Sequence, residues 1–384
     1  LSDRRSFVRG FGAGAVIALA VAALVVAIVG EFQDADLNSQ VSDVVRDDYY
    51  KAVDDSVLEE ASVDGIIREL RTRYDDRFSH YLNPKELRLF EEAASGRFSG
   101  VGLTVTGVER GLRVASVLPD TPAQRARIEE GDLITAVNGR SLAGVPAQVS
   151  TARIKGPPGT PVELRLVSDQ RGVRNVELER ASVELPVTRG EIRRAGGRKV
   201  AYARYASFRA GAHGELKTTL ERLYRRGAEG LVLDLRDNGG GLLNEAVLTA
   251  SLFLREGELV VSTDSRTMGE REYEATGDPL PRRPTVVLID RDTASAAEIL
   301  ASALADHDLA TIVGTRSFGK GTFQELIDLS EGGALDLTVG EYFTADGVSL
   351  AGKGIKPEVR AVDDPETARD EGLQRALDVL ANEL

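Results

Sequence analysis

Between residues 199 and 314 the chain alternates short runs rich in Val, Leu and Ile with helical stretches. That alternation limits the fold more than any other feature. "KVAYARY", "GLVLDLR", "ELVVST", "TVVLID" and "LATIVG" read as strands, and residues 213–226, 243–255 and 295–306 read as helices between several of them. Strands that alternate with helices imply a layered α/β core with much parallel pairing, because parallel neighbours need a crossover connection. In open sheets of this kind, sites form on the loops that follow the strand ends. There is no internal repeat or long low-complexity tract.

Upstream of this core the periodicity differs. Residues 31–41 read as a polar linker, and residues 42–96 show helical spacing with few breakers. In "NPKELRLFEEAASG", Asn83 is placed to cap a helix, Pro84 to open it and Gly96 to stop it. From there "GVGLTVTGVERGLRVASVLPDTPAQRARIEEGDLITAVNGRSL" alternates apolar and polar residues, punctuated by Gly111, Gly131 and Asn138-Gly139. One short helix begins at Pro122, and a last strand lies near Val176–Leu178. This stretch resembles a PDZ domain over residues 96–182, with Ala126-Arg127 where that family usually has Ala-Gly. Backbone N–H groups at Gly100, Val101, Gly102 and Leu103 can form a nest for a peptide's terminal carboxylate, beside a strand edge free to pair with the tail. Without the surrounding pattern, the same loop reads equally as a glycine-rich turn with no ligand.

The N-terminus is a charge-free apolar run from Phe11 to Val29, preceded by Arg4, Arg5 and Arg9 and followed by Glu31, Asp34 and Asp36. At about 1.5 Å per residue it spans about 30 Å, the hydrocarbon thickness of a bilayer. The expectation is a tail at 1–9 in the cytoplasm, a transmembrane anchor or signal segment at 10–30, and an extracytoplasmic remainder. A cleaved signal peptide is the alternative; the long apolar run and the lack of a small-x-small site after it favour the anchor.

A net charge of −13 argues against nucleic acid as a partner. With no cysteine and three histidines, thiolate chemistry is excluded and histidine-based catalysis has few candidates. No His/Asp/Glu spacing suggests a metal site, and no cofactor is expected.

Three loops of the core could carry chemistry. "LDLRDNGGGLLNEA" (233–246) sets three glycines before a helix but lacks the endings of a phosphate-binding loop. "DRDTASAAEIL" puts Ser295 at a helix start, where a serine alone reads as a cap. "VGTRSFGKGTFQEL" puts Lys320 between Gly319 and Gly321. A lysine there reads as a solvated loop residue unless burial lowers its pKa enough to make it a base.

Taken together and in order, "LDLRDNGGG", "TASAAEILASAL", "GTRSFGKGTFQ" and "EYFTADGVSLAGKGIKPEV" resemble the C-terminal processing peptidases, a serine-protease family with a Ser-Lys dyad and a PDZ domain. The resemblance covers most of residues 42–384. Gly239 departs from the family's frequent proline, and Asp75–Tyr81 is a looser version of its segment, read here as having no catalytic part. The resemblance implies a multidomain α/β fold: a helical region within 31–95, an inserted mostly-β PDZ domain at 96–182 and a layered ClpP/crotonase-like peptidase core at 183–384. It implies that Ser295 is the nucleophile, that neutral Lys320 takes its proton and that Gln324 orients the amine. It also implies an oxyanion site, for which the backbone amides of Ala296 and Gly240 are the candidates. His80, His213 and His307 fall outside these roles. Substrates would be proteins with free apolar C-termini; an adaptor and self-association stay open. A non-catalytic scaffold that binds C-termini is the alternative, and an acyl-CoA enzyme on a similar layered fold a more distant one.

Overall fold

The computed structural model describes residues 37–384 apart from 61, 95, 96, 169, 170, 185, 186, 331, 365, 366 and 368. The expected membrane segment and the helix stop at Gly96 lie outside the described residues. Among those residues, no helix is long and apolar enough to cross a membrane.

Four of the five apolar runs of the core lie in one six-stranded sheet; the fifth, "ELVVST", falls in Leu259–Ser265 and belongs to an antiparallel sheet instead. The order of the six-stranded sheet is Thr188–Ala195, Arg198–Tyr205, Leu231–Asp234, Thr285–Ile289, Thr311–Gly314 and Val359–Arg360. The first pair is antiparallel and the remaining pairs are parallel, as the strand–helix alternation required. Leu231–Asp234 and Thr285–Ile289 are buried along their whole length. The reason is that both faces are covered. Leu231, Leu233, Val287 and Ile289 face the helices Ala212–Arg225, Leu243–Ala250 and Ala296–Asp306. Val232, Val286 and Leu288 point the other way, into the C-terminal helix Glu371–Glu383. Each such side chain contributes about 1.5–3 kcal/mol, so this double-sided burial is the main support of the core.

A second sheet lies beyond the central helices, and its strands are drawn from distant segments. Ala334–Thr344 pairs antiparallel with His80–Leu82, Leu259–Ser265 and Thr322–Asp328, and Gly269–Glu274 completes the sheet. The helical N-terminal region covers this sheet: Val41, Val45, Tyr49, Ile66 and Leu70 pack against Leu335, Leu337 and Val339. The helix Pro84–Ala94 starts where expected. Asn83 Oδ1 accepts from the amides of Lys85 and Glu86, and Glu86 accepts from the amide of Asn83.

The inserted β-rich unit has its own sheet, in the order Leu103–Val108, Gly111–Val117, Leu133–Val137, Pro161–Ser168, Gly172–Glu179. It also has its own core, which includes Leu112, Ile134, Leu164 and Leu166. The short helix Pro122–Arg125 is capped by Thr121. The chain segments entering and leaving the unit, Arg97–Gly100 and Ala181–Glu184, pair with each other as a two-stranded ribbon.

Candidate active site

The strands Leu231–Asp234, Thr285–Ile289 and Thr311–Gly314 are parallel neighbours, so the loops that follow them emerge side by side. Backbone bonds then join the loops. The Ala294 amide donates to the Asn238 carbonyl at 2.9 Å, and the Phe318 amide donates to the Thr293 carbonyl at 3.0 Å. The three candidate loops therefore meet at one place.

Ser295 is the N-cap residue of the helix Ala296–Asp306 and sits at φ 57°, ψ −123°. That backbone region is sparsely populated by residues other than glycine, and holding a serine there costs on the order of 1–3 kcal/mol. Glu298 supplies part of the restraint. Its carboxylate is fully buried and accepts from the Ser295 amide at 2.9 Å. The same carboxylate accepts from Ser317 Oγ at 2.5 Å, the Gly319 amide at 2.7 Å and the Lys320 amide at 3.0 Å. Burial raises the pKa of Glu298, and these donors oppose that rise. One side chain thus ties the serine's backbone to the lysine's.

Lys320 is held close to neighbouring backbone because Gly321 permits it: a Cβ there would lie 2.3 Å from the Ala351 amide nitrogen. Among the described residues, its ammonium makes no hydrogen bond and no ion pair within 4.0 Å; instead Nζ lies 4.7 Å from the centre of the Phe78 ring. Burial lowers its pKa below the usual lysine value, against the opposing charges of Asp336 and Asp76. A solvated loop lysine would show neither feature. Phe78 belongs to the segment Asp75–Tyr81, which is thereby placed against the lysine. His80, placed outside the catalytic roles, has its Nε2 3.7 Å from Asp336, a residue of the cleft. Strand register makes this contact, since His80 pairs directly with Asp336.

Ser295, Ala296, Lys320 and Gln324 line one cleft of about 570 Å³, together with Phe208, Ile299, Asp336 and Tyr342. A larger depression of about 870 Å³ is lined by Thr285 and Thr311, at the N-terminal ends of their strands, and contains neither Ser295 nor Lys320. No hydrogen bond joins Ser295 to Lys320 among the described contacts. Gln324 does not reach the lysine; its amide nitrogen donates to Thr338 Oγ1 at 3.2 Å. The Gly240 amide is already committed to Asn238 Oδ1 at 2.9 Å, so it is not free to bind an oxyanion. The amide of Gly241, which also lines the cleft, has no such partner among the described residues and replaces Gly240 as a candidate. Three carboxylates, Asp237, Asp290 and Asp292, converge near these loops. Asp237 pairs with Arg204 at 2.6 Å, and Asp290 accepts from the amides of Asp237 and Asp292.

In the inserted unit, the carbonyls of Val101 and Gly102 accept from the amides of Ala123 and Leu118. This turns the carbonyls into the fold. The strand that follows, Leu103–Val108, is at the edge of its sheet and has the helix Ala147–Ile154 against it.

A serine at a helix start and a shielded amine in one largely apolar cleft form the kind of site on which serine hydrolases are built. Comparison with known proteins agrees. Residues 199–361 match the model of peptidase family S41, and residues 90–167 match that of the PDZ domain. The carboxy-terminal processing protease CtpA of Bacillus subtilis is 33% identical over 319 residues, 83% of this chain and 66% of that protein. A carboxy-terminal-processing protease of Bartonella bacilliformis is 32% identical over 323 residues, 82% of this chain and 72% of that one. The solved photosystem II D1 C-terminal processing protease superposes with a TM-score of 0.53 at 29% identity, covering 89% of this chain and 96% of its own. The chain belongs to peptidase family S41, the carboxy-terminal processing proteases, and spans about two thirds of the length of these curated relatives.

Proposed function

We propose that this chain is a Ser-Lys endopeptidase that cleaves proteins whose C-terminal tails its PDZ domain binds. The observation that carries the reading is the half-buried Lys320 amine, which shares a cleft with Ser295 and, among the described residues, has no counter-ion in contact. An amine so shielded loses its proton more readily than one in water, and only the neutral form can act as a base. Lys320 takes the proton of the Ser295 hydroxyl, and the oxygen attacks the scissile carbonyl to give an acyl-enzyme. The Ala296 and Gly241 amides receive the oxyanion at the positive end of the helix Ala296–Asp306. Gln324 would turn from Thr338 to the amine as the dyad closes. The tail would pair with the edge strand Leu103–Val108, its carboxylate on the amides of Gly100 to Leu103.

The test uses purified protein and a peptide with a free apolar C-terminus. Ser295→Ala and Lys320→Arg should both abolish cleavage, because a guanidinium cannot serve as a base near neutrality. Turnover that survives in Ser295→Ala would sink the assignment. The missing Ser295–Lys320 hydrogen bond favours the second reading, a scaffold that binds tails. Tail binding by the unaltered protein with no cleavage under any condition would select it.

A further inference from the structure

Protein interiors seldom leave a buried hydroxyl without a partner, and the exceptions call for an explanation. Tyr342, on the strand Ala334–Thr344, is 2% exposed, and its hydroxyl makes no hydrogen bond among the described residues. Tyr49 also has an unpaired hydroxyl, but it lies in the N-terminal helical core, away from the cleft. Tyr342 lines the cleft with Ser295 and Lys320. The side chain beside its hydroxyl is that of Ser295, close enough to influence its ionisation yet short of a hydrogen bond. Glu298 pins the backbone of Ser295, so rotation about χ1 is the movement left to bring Oγ within reach.

We propose that Tyr342 is a further catalytic residue, whose phenolic O–H donates a hydrogen bond to Ser295 Oγ when that oxygen carries negative charge. The role rests on the Ser295–Lys320 reading. Burial, with the nearby Glu298 charge, holds the phenol's pKa well above its ordinary value, so it keeps its proton throughout and cannot replace Lys320 as the base. In acylation the Oγ proton passes to Lys320 Nζ, the Oγ–carbon bond forms, and the carbonyl's π pair moves to the oxygen facing the Ala296 and Gly241 amides. The carbon–nitrogen bond then breaks, and the amine leaves with the proton from Lys320. In deacylation water gives a proton to Lys320 and attacks the ester. The carbon–Oγ bond breaks, and Oγ recovers the proton. Tyr342 assists at the two moments when Oγ is most negative and contributes little to the neutral ester between them, which is the condition for lowering a barrier.

Tyr342→Phe removes an unpaired hydroxyl and leaves the ring, so its melting temperature should equal or exceed that of the unaltered protein. With the full chain and a peptide bearing a free apolar C-terminus, kcat should fall about 10- to 100-fold, the usual range for a hydrogen bond to a charged group. KM should change less than about twofold, the pattern for an interaction made in the transition state. The pH at which activity rises should not move, because Lys320 sets it. Unchanged kcat in an enzyme that loses activity on Ser295→Ala overturns the tyrosine's role alone. A melting temperature that falls together with kcat also overturns it, since the hydroxyl would then be structural. Full activity in Ser295→Ala overturns the dyad and this role with it.

Discussion

Lys320 faces two opposing influences. Burial lowers its pKa, whereas Asp336 and Asp76 raise it. The carboxylate of Asp76 is saturated by the amides of Phe78 and Ser79 and by the hydroxyls of Ser79 and Thr338, which fixes it as part of the scaffold. Asp336 lines the cleft, with His80 Nε2 3.7 Å away. On the proposed dyad, activity should rise with pH as Lys320 loses its proton. Asp336→Asn removes a charge that favours the ammonium, so the rise should move to lower pH. A pH–rate profile that stays in place or moves upward would show that Asp336 does not tune the base. Little of this is visible in the sequence. "FGKG" shows that Lys320 can approach backbone, but nothing local shows that Phe78 covers its amine, because that contact comes from a segment over 200 residues away. Arg127 shows the reverse case. The Ala-Arg departure noted in the sequence falls at a position with φ 56°, where a glycine would be unstrained.

At the level of elements, the helix Ala296–Asp306 is held through Glu298 as well as through its apolar face. Glu298 Oε1 accepts from Ser317 and Gly319, and Oε2 accepts from Ser295 and Lys320. A glutamine cannot satisfy four donors, because its NH₂ would face two of them in either orientation. Glu298→Gln should therefore lower unfolding free energy by about 3 kcal/mol, read from denaturant titration. It should also reduce cleavage, since the loops of Ser295 and Lys320 lose their common anchor. A variant with unaltered stability would show that the four bonds are not needed to hold the loops. The residue is plain in "TASAAEIL", yet its partners belong to the third loop and are not. The parallel strands were legible because burial on both faces makes their apolar runs continuous. Of the second sheet only "ELVVST" was legible as a strand, and its antiparallel pairing was not, because the partners come from scattered segments.

Across the molecule, the inserted unit has a separate core, and its ends are tied by the ribbon of Arg97–Gly100 and Ala181–Glu184. On the proposed function, a change confined to the loop at residues 100–103 should therefore separate recognition from chemistry. Gly102 has φ +84°, and a Cβ there would lie 2.3 Å from Thr121 Cβ. Gly102→Val should weaken binding of a fluorescent apolar-tailed peptide at least about tenfold. Cleavage of a peptide too short to engage the unit should persist. Equal loss of both would show that the loop and the cleft act as one site.

The sequence by itself determined the layered α/β core, the inserted β-rich unit, the capped helix at Pro84 and, through its ordered motifs, the resemblance to the C-terminal processing peptidases. These follow from local periodicity, turn chemistry and motif order, all of which are written along the chain. Only the tertiary structure decided that Gly240 gives its amide to Asn238, that Gln324 rests on Thr338, that Phe78 packs on the Lys320 amine, and that Asp336 and Tyr342 line the cleft. Those facts depend on strand register and on contacts between distant segments. Shifting a strand by one residue turns every side chain to the other face, and nothing within a single segment records which register its partner imposes.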